Sequence, residues 1–489
     1  MTRICVAVCE KNVAALESAA VRASESADIV ELRLDCLQHL KDFERVLNRV
    51  SCPVILTLRP TEQGGHRELD HETRAAFWQT APHSDWWDIE SDLIPETDWS
   101  HVIISHHDFA GVPQDLTRIY DQLAATSARI VKIAVQAHDI VDCIPVFQLL
   151  DRARSEGREV IAIAMGNPGL ATRILGPSRG AFLTYAALEE GSTTAPGQIT
   201  AQKLRSVYHV DKIDRDTMIC GLVGRPVMHS VSPHMHNAAF RAAGINGVYL
   251  PLEVRDVNTF FTRMVDPSTR ELDWNLRGLS VTAPHKSAVL EYLDWIEPDA
   301  KQIGAVNTIL IDGDELRGFN TDAAGFIEPL LEAMDSLSGL RVAVIGAGGA
   351  ARAAVWALLK HDASLTLFAR NTEKARTLGQ EFDVSYESLS SASFSNYDLV
   401  INATPLGSGE LIDQTPATAD QLAGARCVYD LVYNPIETLF LKEACNANCK
   451  TVRGLEMLVA QAKNQFQLWT GESAPLNVMY DAAAAALDH

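Results

Sequence analysis

Ser336–Lys360 reads SLSGLRVAVIGAGGAARAAVWALLK. The apolar run Arg341–Ile345 meets the turn Gly346-Ala347-Gly348-Gly349-Ala350-Ala351, and an alanine-rich helical stretch follows. That is the strand, glycine turn and helix order of a dinucleotide-binding βαβ unit. Glycines at 346 and 348 permit a tight turn and let backbone N–H groups approach a pyrophosphate, and Ala351 lets the helix pack closely. Glycine-rich turns are common, and the place of this one between strand and helix is what singles it out. The next run, SLTLF (Ser364–Phe368), ends in Ala369-Arg370-Asn371-Thr372 with no acid at its tip. An acid there would bind the ribose 2′-OH of NAD, whereas a cation favours a 2′-phosphate. Arg370, Asn371 and Thr372 therefore point to NADP(H), although an arginine at a strand end is also a common solvated charge.

Outward from this unit lie HSVSPHMHN (His229–Asn237), LSVTAPHK (Leu279–Lys286), GAVNT (Gly304–Thr308) and GFNTD (Gly318–Asp322) upstream. Downstream are INATPLG (Ile401–Gly407), DLVYNP (Asp430–Pro435) and GLEMLVAQA (Gly454–Ala462). Singly, these are turn and cap sequences. In this order they resemble the shikimate dehydrogenase family, from Ile219 to the end of the chain. The resemblance implies that Ser230 and Ser232 bind a substrate carboxylate, that Thr282, Asn307 and Gln461 bind ring hydroxyls with Tyr433 nearby, and that Lys286 and Asp322 form the catalytic pair. The chemistry agrees, because hydride transfer to a ketone leaves an alkoxide, and a lysine held by a carboxylate can protonate it in place. The same pair on an open surface would be an ordinary ion pair. Ser280 stands where many relatives have asparagine, and a small change in substrate contacts is expected.

The first two hundred residues have another pattern. Short apolar runs ICVAV (Ile4–Val8), IVELRL (Ile29–Leu34), PVILTLR (Pro53–Arg59), WWDIE (Trp86–Glu90), HVIIS (His101–Ser105), RIVKIAV (Arg129–Val135) and EVIAIAM (Glu159–Met165) alternate with amphipathic stretches. Repeated βα units of this length fit a (β/α)8 TIM barrel, and on pattern alone an open sheet fits as well. The charged segment Tyr208–Met218 lacks apolar periodicity and marks a boundary. The expected fold is α/β throughout: a barrel over residues 1–210, a substrate-binding domain over 217–334, a Rossmann NADP-binding domain over 335–455, and C-terminal helices over 456–489.

Lys132 sits among Ile130, Val131, Ile133 and Val135. A strand-end lysine ordinarily keeps its ammonium in water; within a barrel, desolvation would instead make it a nucleophile toward a ketone. HVIIS leads into His106-His107-Asp108-Phe109, and arginines recur at comparable positions: Arg33, Arg59 and Arg173. Gathered at one barrel end, they would make a local anion site inside an acidic protein.

Taken in order, VELRLD, LTLRP, SHHDF, VKIAV, MGNPGLATR and TAPGQ resemble the type I 3-dehydroquinate dehydratase family over the whole first domain. The resemblance implies an imine on Lys132, proton relay by His107, a carboxylate clamp at Arg173, and Glu31, Arg33, Arg59, Thr194 and Gln198 around the ring. Two residues depart from the family pattern. Gln63 replaces a glutamate before Gly64-Gly65; it can hydrogen-bond His107 without supporting a positive charge there, and Glu62 is the nearest substitute acid. Thr194 replaces a serine and keeps the hydroxyl.

The 489 residues are 47% hydrophobic and 21% charged, with a net charge of −21. That balance argues against binding to nucleic acid or anionic membranes. Nine cysteines are scattered, and Cys5/Cys9 and Cys445/Cys449 lack companion histidines, so no metal site is expected and the thiols suit a reducing compartment. No signal-peptide pattern or long apolar run occurs, and a cytoplasmic location is expected. The expected partners are small anionic substrates (3-dehydroquinate, 3-dehydroshikimate and shikimate), with the oligomeric state open. The leading reading is a two-site enzyme acting on consecutive intermediates. The alternatives are a quinate-preferring dehydrogenase half, a non-catalytic regulator built from the same domains, and a Schiff-base aldolase barrel, which would share the lysine but not the ordered arginines.

Overall fold

The computed structural model describes residues 2–93 and 99–487. By contact, the chain divides into two units, residues 1–219, 223–228 and 246–276 in one and residues 220–222, 229–245 and 277–489 in the other.

The first unit holds a parallel barrel of β1 (Ile4–Val8), β2 (Ile29–Arg33), β3 (Val54–Thr57), β4 (Trp86–Glu90), β5 (Val102–Asp108), β6 (Ile130–Gln136), β7 (Glu159–Met165) and β8 (Thr184–Ala186). The strand order is β7-β6-β5-β4-β3-β2-β1-β8. The seam between β7 and β8 is closed by a single bridge, Val160 to Ala181, with Phe182 N donating to Val160 O at 2.7 Å. The open-sheet alternative is thereby set aside. β1, β2, β3 and β8 are buried along their whole length and β6 and β7 at all but one residue, which is why the longer ones read as continuous Val/Ile-rich runs rather than alternating ones.

The interior is layered by the two-residue period of the strands. Cys5, Ile29, Ile55, Ile103, Ile130 and Ile161 form a dry floor with Leu183 and Tyr185. Two residues further along β2 to β6, the same face presents Glu31, Thr57, Asp88, Ser105 and Lys132, all nearly inaccessible to solvent. Two more residues along come Arg33, Arg59, Glu90 and His107. One strand period thus separates the hydrophobic floor from a polar layer.

A second sheet contains β9 (Met218–Gly224), β10 (Gly247–Glu253), β11 (Leu276–Val281), β12 (Trp295–Ile296), β13 (Thr308–Asp312) and β14 (Glu315–Phe319), in the order β10-β9-β11-β13-β14-β12. β13 is antiparallel to both β11 and β14.

The third sheet lies wholly in the second unit. It is built from β15 (Arg341–Ile345), β16 (Ser364–Ala369), β17 (Ser385–Ser388), β18 (Leu399–Asn402), β19 (Cys427–Asp430) and β20 (Lys450–Val452), ordered β17-β16-β15-β18-β19-β20. Every pair is parallel. Alternate residues enter separate cores: Val342, Val344, Leu367 and Ile401 on one face, and Ala343, Ile345, Phe368 and Val400 on the other. This is the doubly wound Rossmann arrangement, with its chain reversal beside β15. Among the described residues, no helix is long and apolar enough to cross a membrane.

Candidate active sites

The barrel encloses a cavity of about 50 Å3 lined by Glu31, Arg33, Arg59, His107, Lys132, Arg173, Thr194 and Gln198, with Gln63, Phe109, Met165 and Tyr185 among the other walls. Lys132, His107, Glu31, Arg33, Arg59, Arg173, Thr194 and Gln198, all singled out from the sequence, therefore reach one space.

Lys132 is 5% exposed, but its surroundings are not apolar. Its Nζ donates to Asp88 Oδ2 at 2.6 Å and to the Tyr185 hydroxyl at 2.9 Å. The sequence reading missed both partners. A buried amine without them would leave its N–H groups unsatisfied, and such groups are rarely tolerated. Asp88 also forms an ion pair with Arg59, whose Nη2 lies 2.8 Å from the same Oδ2. Burial pushes its carboxyl up, but Arg59 and Lys132 outweigh this and hold it well below the usual carboxylate range.

Arg59 Nη1 lies 2.5 Å from Nδ1 and 2.6 Å from Nε2 of His107. Burial first, then the charges of Arg59, Lys132 and Arg33, push the imidazole well below its ordinary value, so it is neutral at pH 7. Gln63 Oε1 accepts from the backbone N–H of His107 at 2.9 Å, so the residue that replaces the usual glutamate fixes the main chain at His107. Glu62 is exposed and does not line the cavity.

The arginines divide by partner. Arg33 donates twice to Asp35, at 2.9 Å each, and Arg59 is engaged by Asp88. Arg173 is 1% exposed and, among the described residues, donates only to carbonyls, Pro196 O at 3.1 Å and Tyr185 O at 3.4 Å, while its Nε has no hydrogen-bond partner there. Desolvation lowers its pKa to about 10. The sequence pattern suggested an anion site spread over several arginines; two of them are already neutralised by buried carboxylates, and Arg173 carries the remaining charge. Glu31 accepts from Thr57 Oγ1 at 2.6 Å, and Gln198 Oε1 accepts from Thr194 N at 2.9 Å, tying the following loop to the wall.

The cysteines differ from expectation as well. Cys9 and Cys36 form a disulfide, while seven other cysteines are free. Neighbouring parallel strands bring together positions 27 residues apart, a contact that spacing alone does not reveal.

In the second unit, Lys286 Nζ donates to Asp322 Oδ2 at 2.5 Å, and Asn307 Nδ2 donates to Asp322 Oδ1 at 2.7 Å. Asn307 Oδ1 in turn accepts from Thr321 N at 2.7 Å, locking the start of the helix Thr321–Ala333 that carries the aspartate. Ser230 Oγ donates to Ser232 Oγ at 3.1 Å at the head of the helix Ser232–Ala242. Gly325, three residues beyond Asp322, lets Gln461 approach: a Cβ there would lie 2.7 Å from Gln461 Cβ. Thr282 and Tyr433 are half-buried. Ser280 Oγ donates to Gln465 Oε1 at 2.8 Å in the interior, so its hydroxyl is already committed.

The glycine turn fits a dinucleotide. Gly346 has φ +130°, and a Cβ on it would fall 2.6 Å from Ala403 O. Side chains on Gly348 or Gly349 would instead meet open space, the room a pyrophosphate needs above the first turn of the helix Gly349–Leu359. Ala351 is fully buried. Arg370 is exposed at the end of β16, and Asn371 caps the helix Thr372–Phe382 by accepting from Lys374 N.

Comparison with known proteins places the chain in a family. The family described as type I 3-dehydroquinase matches residues 4–215. The shikimate dehydrogenase substrate binding domain matches residues 222–309, the shikimate/quinate 5-dehydrogenase family residues 330–423, and the shikimate 5'-dehydrogenase C-terminal domain residues 454–484. A chloroplastic bifunctional 3-dehydroquinate dehydratase/shikimate dehydrogenase from Arabidopsis thaliana is 34% identical over 92% of this chain and 78% of its own. The chain belongs to the bifunctional 3-dehydroquinate dehydratase/shikimate dehydrogenase family. For the dehydrogenase half, the shikimate 5-dehydrogenase of Thermus thermophilus, solved with NADP(H) and shikimate, is 36% identical, with a TM-score of 0.50 over 55% of this chain and 100% of that one. The quinate dehydrogenase of Corynebacterium glutamicum, solved with NAD, is 30% identical, with a TM-score of 0.50 over 55% and 99%. Membership in the bifunctional family gives one enzyme both dehydratase and shikimate dehydrogenase activities.

Proposed function

We propose that the barrel dehydrates 3-dehydroquinate through an imine on Lys132, and that the dehydrogenase half reduces the product, 3-dehydroshikimate, to shikimate with NADPH. The barrel reading is carried by one observation: the Lys132 amine, a neutral His107 and an arginine without an acidic partner converge on a single cavity. Arg173 takes the substrate carboxylate in a bidentate grip. Addition of Nζ to the ketone, with loss of water, gives an iminium, which acts as an electron sink. His107 removes the proton from the adjacent carbon, and the bond's electrons flow toward nitrogen. The hydroxyl leaves as water with the proton returned by His107. Hydrolysis then frees Lys132. Asp88 and Tyr185 keep the amine aimed between these groups, and Glu31, Arg33, Arg59, Thr194 and Gln198 hold the ring.

In the dehydrogenase half, Ser230 and Ser232 grip the carboxylate, and Thr282, Asn307, Tyr433 and Gln461 surround the ring. Gly346 to Ala351 cradle the pyrophosphate, and Arg370 to Thr372 meet the 2′-phosphate. When bound, the nicotinamide supplies the hydride. Lys286, oriented by Asp322, gives its proton to the carbonyl oxygen as charge develops there. On this reading the chain divides into a barrel at 1–210, a substrate-binding domain at 217–334, an NADP-binding domain at 335–455 and terminal helices at 456–489, with its substrates meeting it in the cytoplasm.

Borohydride added during turnover of 3-dehydroquinate should fix the substrate skeleton to the peptide carrying Lys132. Recovery of that peptide unmodified, with the label elsewhere, overturns the barrel mechanism.

A further inference from the structure

Cys9 directly follows β1, and Cys36 lies three residues beyond β2. Because these strands are parallel neighbours, both sulfurs emerge at the end of the barrel that carries the dehydratase cavity, with Cα atoms 5.4 Å apart. His66, from the segment after β3, completes a cluster: one imidazole nitrogen and the two sulfurs lie within 4.8 Å of one another. The cysteines are half-buried and His66 is exposed, so small solutes reach the cluster.

We propose that reduction of the Cys9–Cys36 disulfide opens a binding site for a borderline-soft divalent cation of the zinc class, held by two thiolates and the His66 imidazole. Sulfur and imidazole donors select such ions over magnesium or calcium, and three protein ligands leave one position for water. The spacing suits the task. Two sulfurs can each sit about 2.3 Å from one ion when their Cα atoms are as close as a disulfide requires.

The redox step balances with a dithiol as reductant. One thiolate attacks a sulfur of the pair and forms a mixed disulfide, and the second thiol displaces it. The reductant leaves as its own disulfide, and both protein sulfurs are reduced. Cation binding then releases the two thiol protons.

The site is one ion pair from the substrate. Asp35, next to Cys36, has Oδ2 4.0 Å from Cys36 Sγ and accepts from the backbone N–H of His66 at 3.0 Å. The same carboxylate holds Arg33, which lines the cavity. Coordination by Cys36 and His66 pulls on both neighbours of Asp35 and loosens Arg33. This coupling rests on the dehydratase reading of the barrel; the cation site itself does not.

The test uses the full chain, reduced with a dithiol that is then removed without air, and titrated with Co2+. One equivalent should give a thiolate-to-cobalt charge-transfer band and tetrahedral visible absorption, discharged by Zn2+. The oxidised chain and Cys9→Ser or Cys36→Ser should give neither, and His66→Ala should weaken binding on the order of tenfold or more. Failure of the dithiol to expose two thiols, absence of the band, an equal band in the oxidised chain, or its loss in Cys445→Ser overturns the site. With one equivalent of Zn2+ on the reduced chain, the KM for 3-dehydroquinate should rise on the order of tenfold while shikimate oxidation is unchanged. An unchanged KM with the cation bound overturns the coupling alone, and a Lys132 that never forms an imine overturns the barrel reading and leaves the cobalt result standing.

Discussion

Lys132 Nζ stands 2.6 Å from Asp88 Oδ2, and that same oxygen is 2.8 Å from Arg59 Nη2. One buried carboxylate on β4 therefore positions both the amine on β6 and the cation that lies against His107. A chain of contacts thus runs along the cavity, Lys132 to Asp88 to Arg59 to His107, drawn from β6, β4, the segment after β3, and β5.

Asp88→Asn should break this chain. Removing one partner of a buried ion pair costs roughly 3–5 kcal/mol, because the remaining charges stay buried. Dehydratase kcat should fall about a hundredfold as the amine loses its aim. Urea unfolding and absorbance at the enone band of the product measure both effects. A variant that dehydrates at the wild-type rate would remove Asp88 from the catalytic centre.

The pH dependence follows from the imidazole. In the proposed mechanism His107 is a base when neutral, and burial with the charge of Arg59 holds its pKa well below 6.5. The sign is that of a depressed group: the neutral form, and the stability linked to it, are fully present above 6.5 and lost as pH falls through the lowered folded value. The acid limb of dehydratase kcat/KM should therefore lie clearly below pH 6.5. Glu90, raised by burial to about 7, supplies a control. A limb near 7 that persists in Glu90→Gln contradicts the assignment to His107.

Lys286→Met removes the proposed proton donor and leaves Asp322 with Asn307. Shikimate oxidation should slow by about 10^2–10^4-fold in kcat. Fluorescence titration should show NADPH binding within about twofold of wild type, and borohydride trapping at Lys132 should be unaffected. A large loss of NADPH affinity instead would make Lys286 a cofactor ligand.

Arg370→Ala tests cofactor choice. A charge-assisted hydrogen bond to the 2′-phosphate contributes about 1.5–3 kcal/mol, so the Kd for NADPH should rise by roughly ten- to a hundredfold while that for NADH stays constant. Equal weakening of both cofactors would mean that Arg370 only supports the loop.

Much of the architecture was legible because its signals are local. ICVAV, WWDIE and EVIAIAM coincide with β1, β4 and β7, and the turn at Gly346 stands between β15 and its helix. HVIIS was read as ending at Ser105, whereas β5 runs on through Asp108, since polar residues facing the barrel interior still pair along the ladder. The eighth strand escaped notice because three residues, Thr184–Ala186, fall below the length at which alternation is detectable. With it went Tyr185. Asp88 was read only as part of a strand, because its role depends on residues 29 and 44 positions away in the chain. Cys9 with Cys36 and Arg173 without an acid are likewise facts of tertiary proximity, to which neither periodicity nor motif is sensitive.

The single bridge joining Val160 to Ala181 leaves the cylinder with one weak stave. Parting there breaks one isolated bridge where every other described seam of the barrel has three or more paired residues, so it is the least costly place for the cylinder to breathe. That stave carries the Tyr185 phenol, which accepts from the Lys132 amine. Motion too small to unfold anything would thus be transmitted to that amine, and a ligand that tightens the seam would also steady the nitrogen.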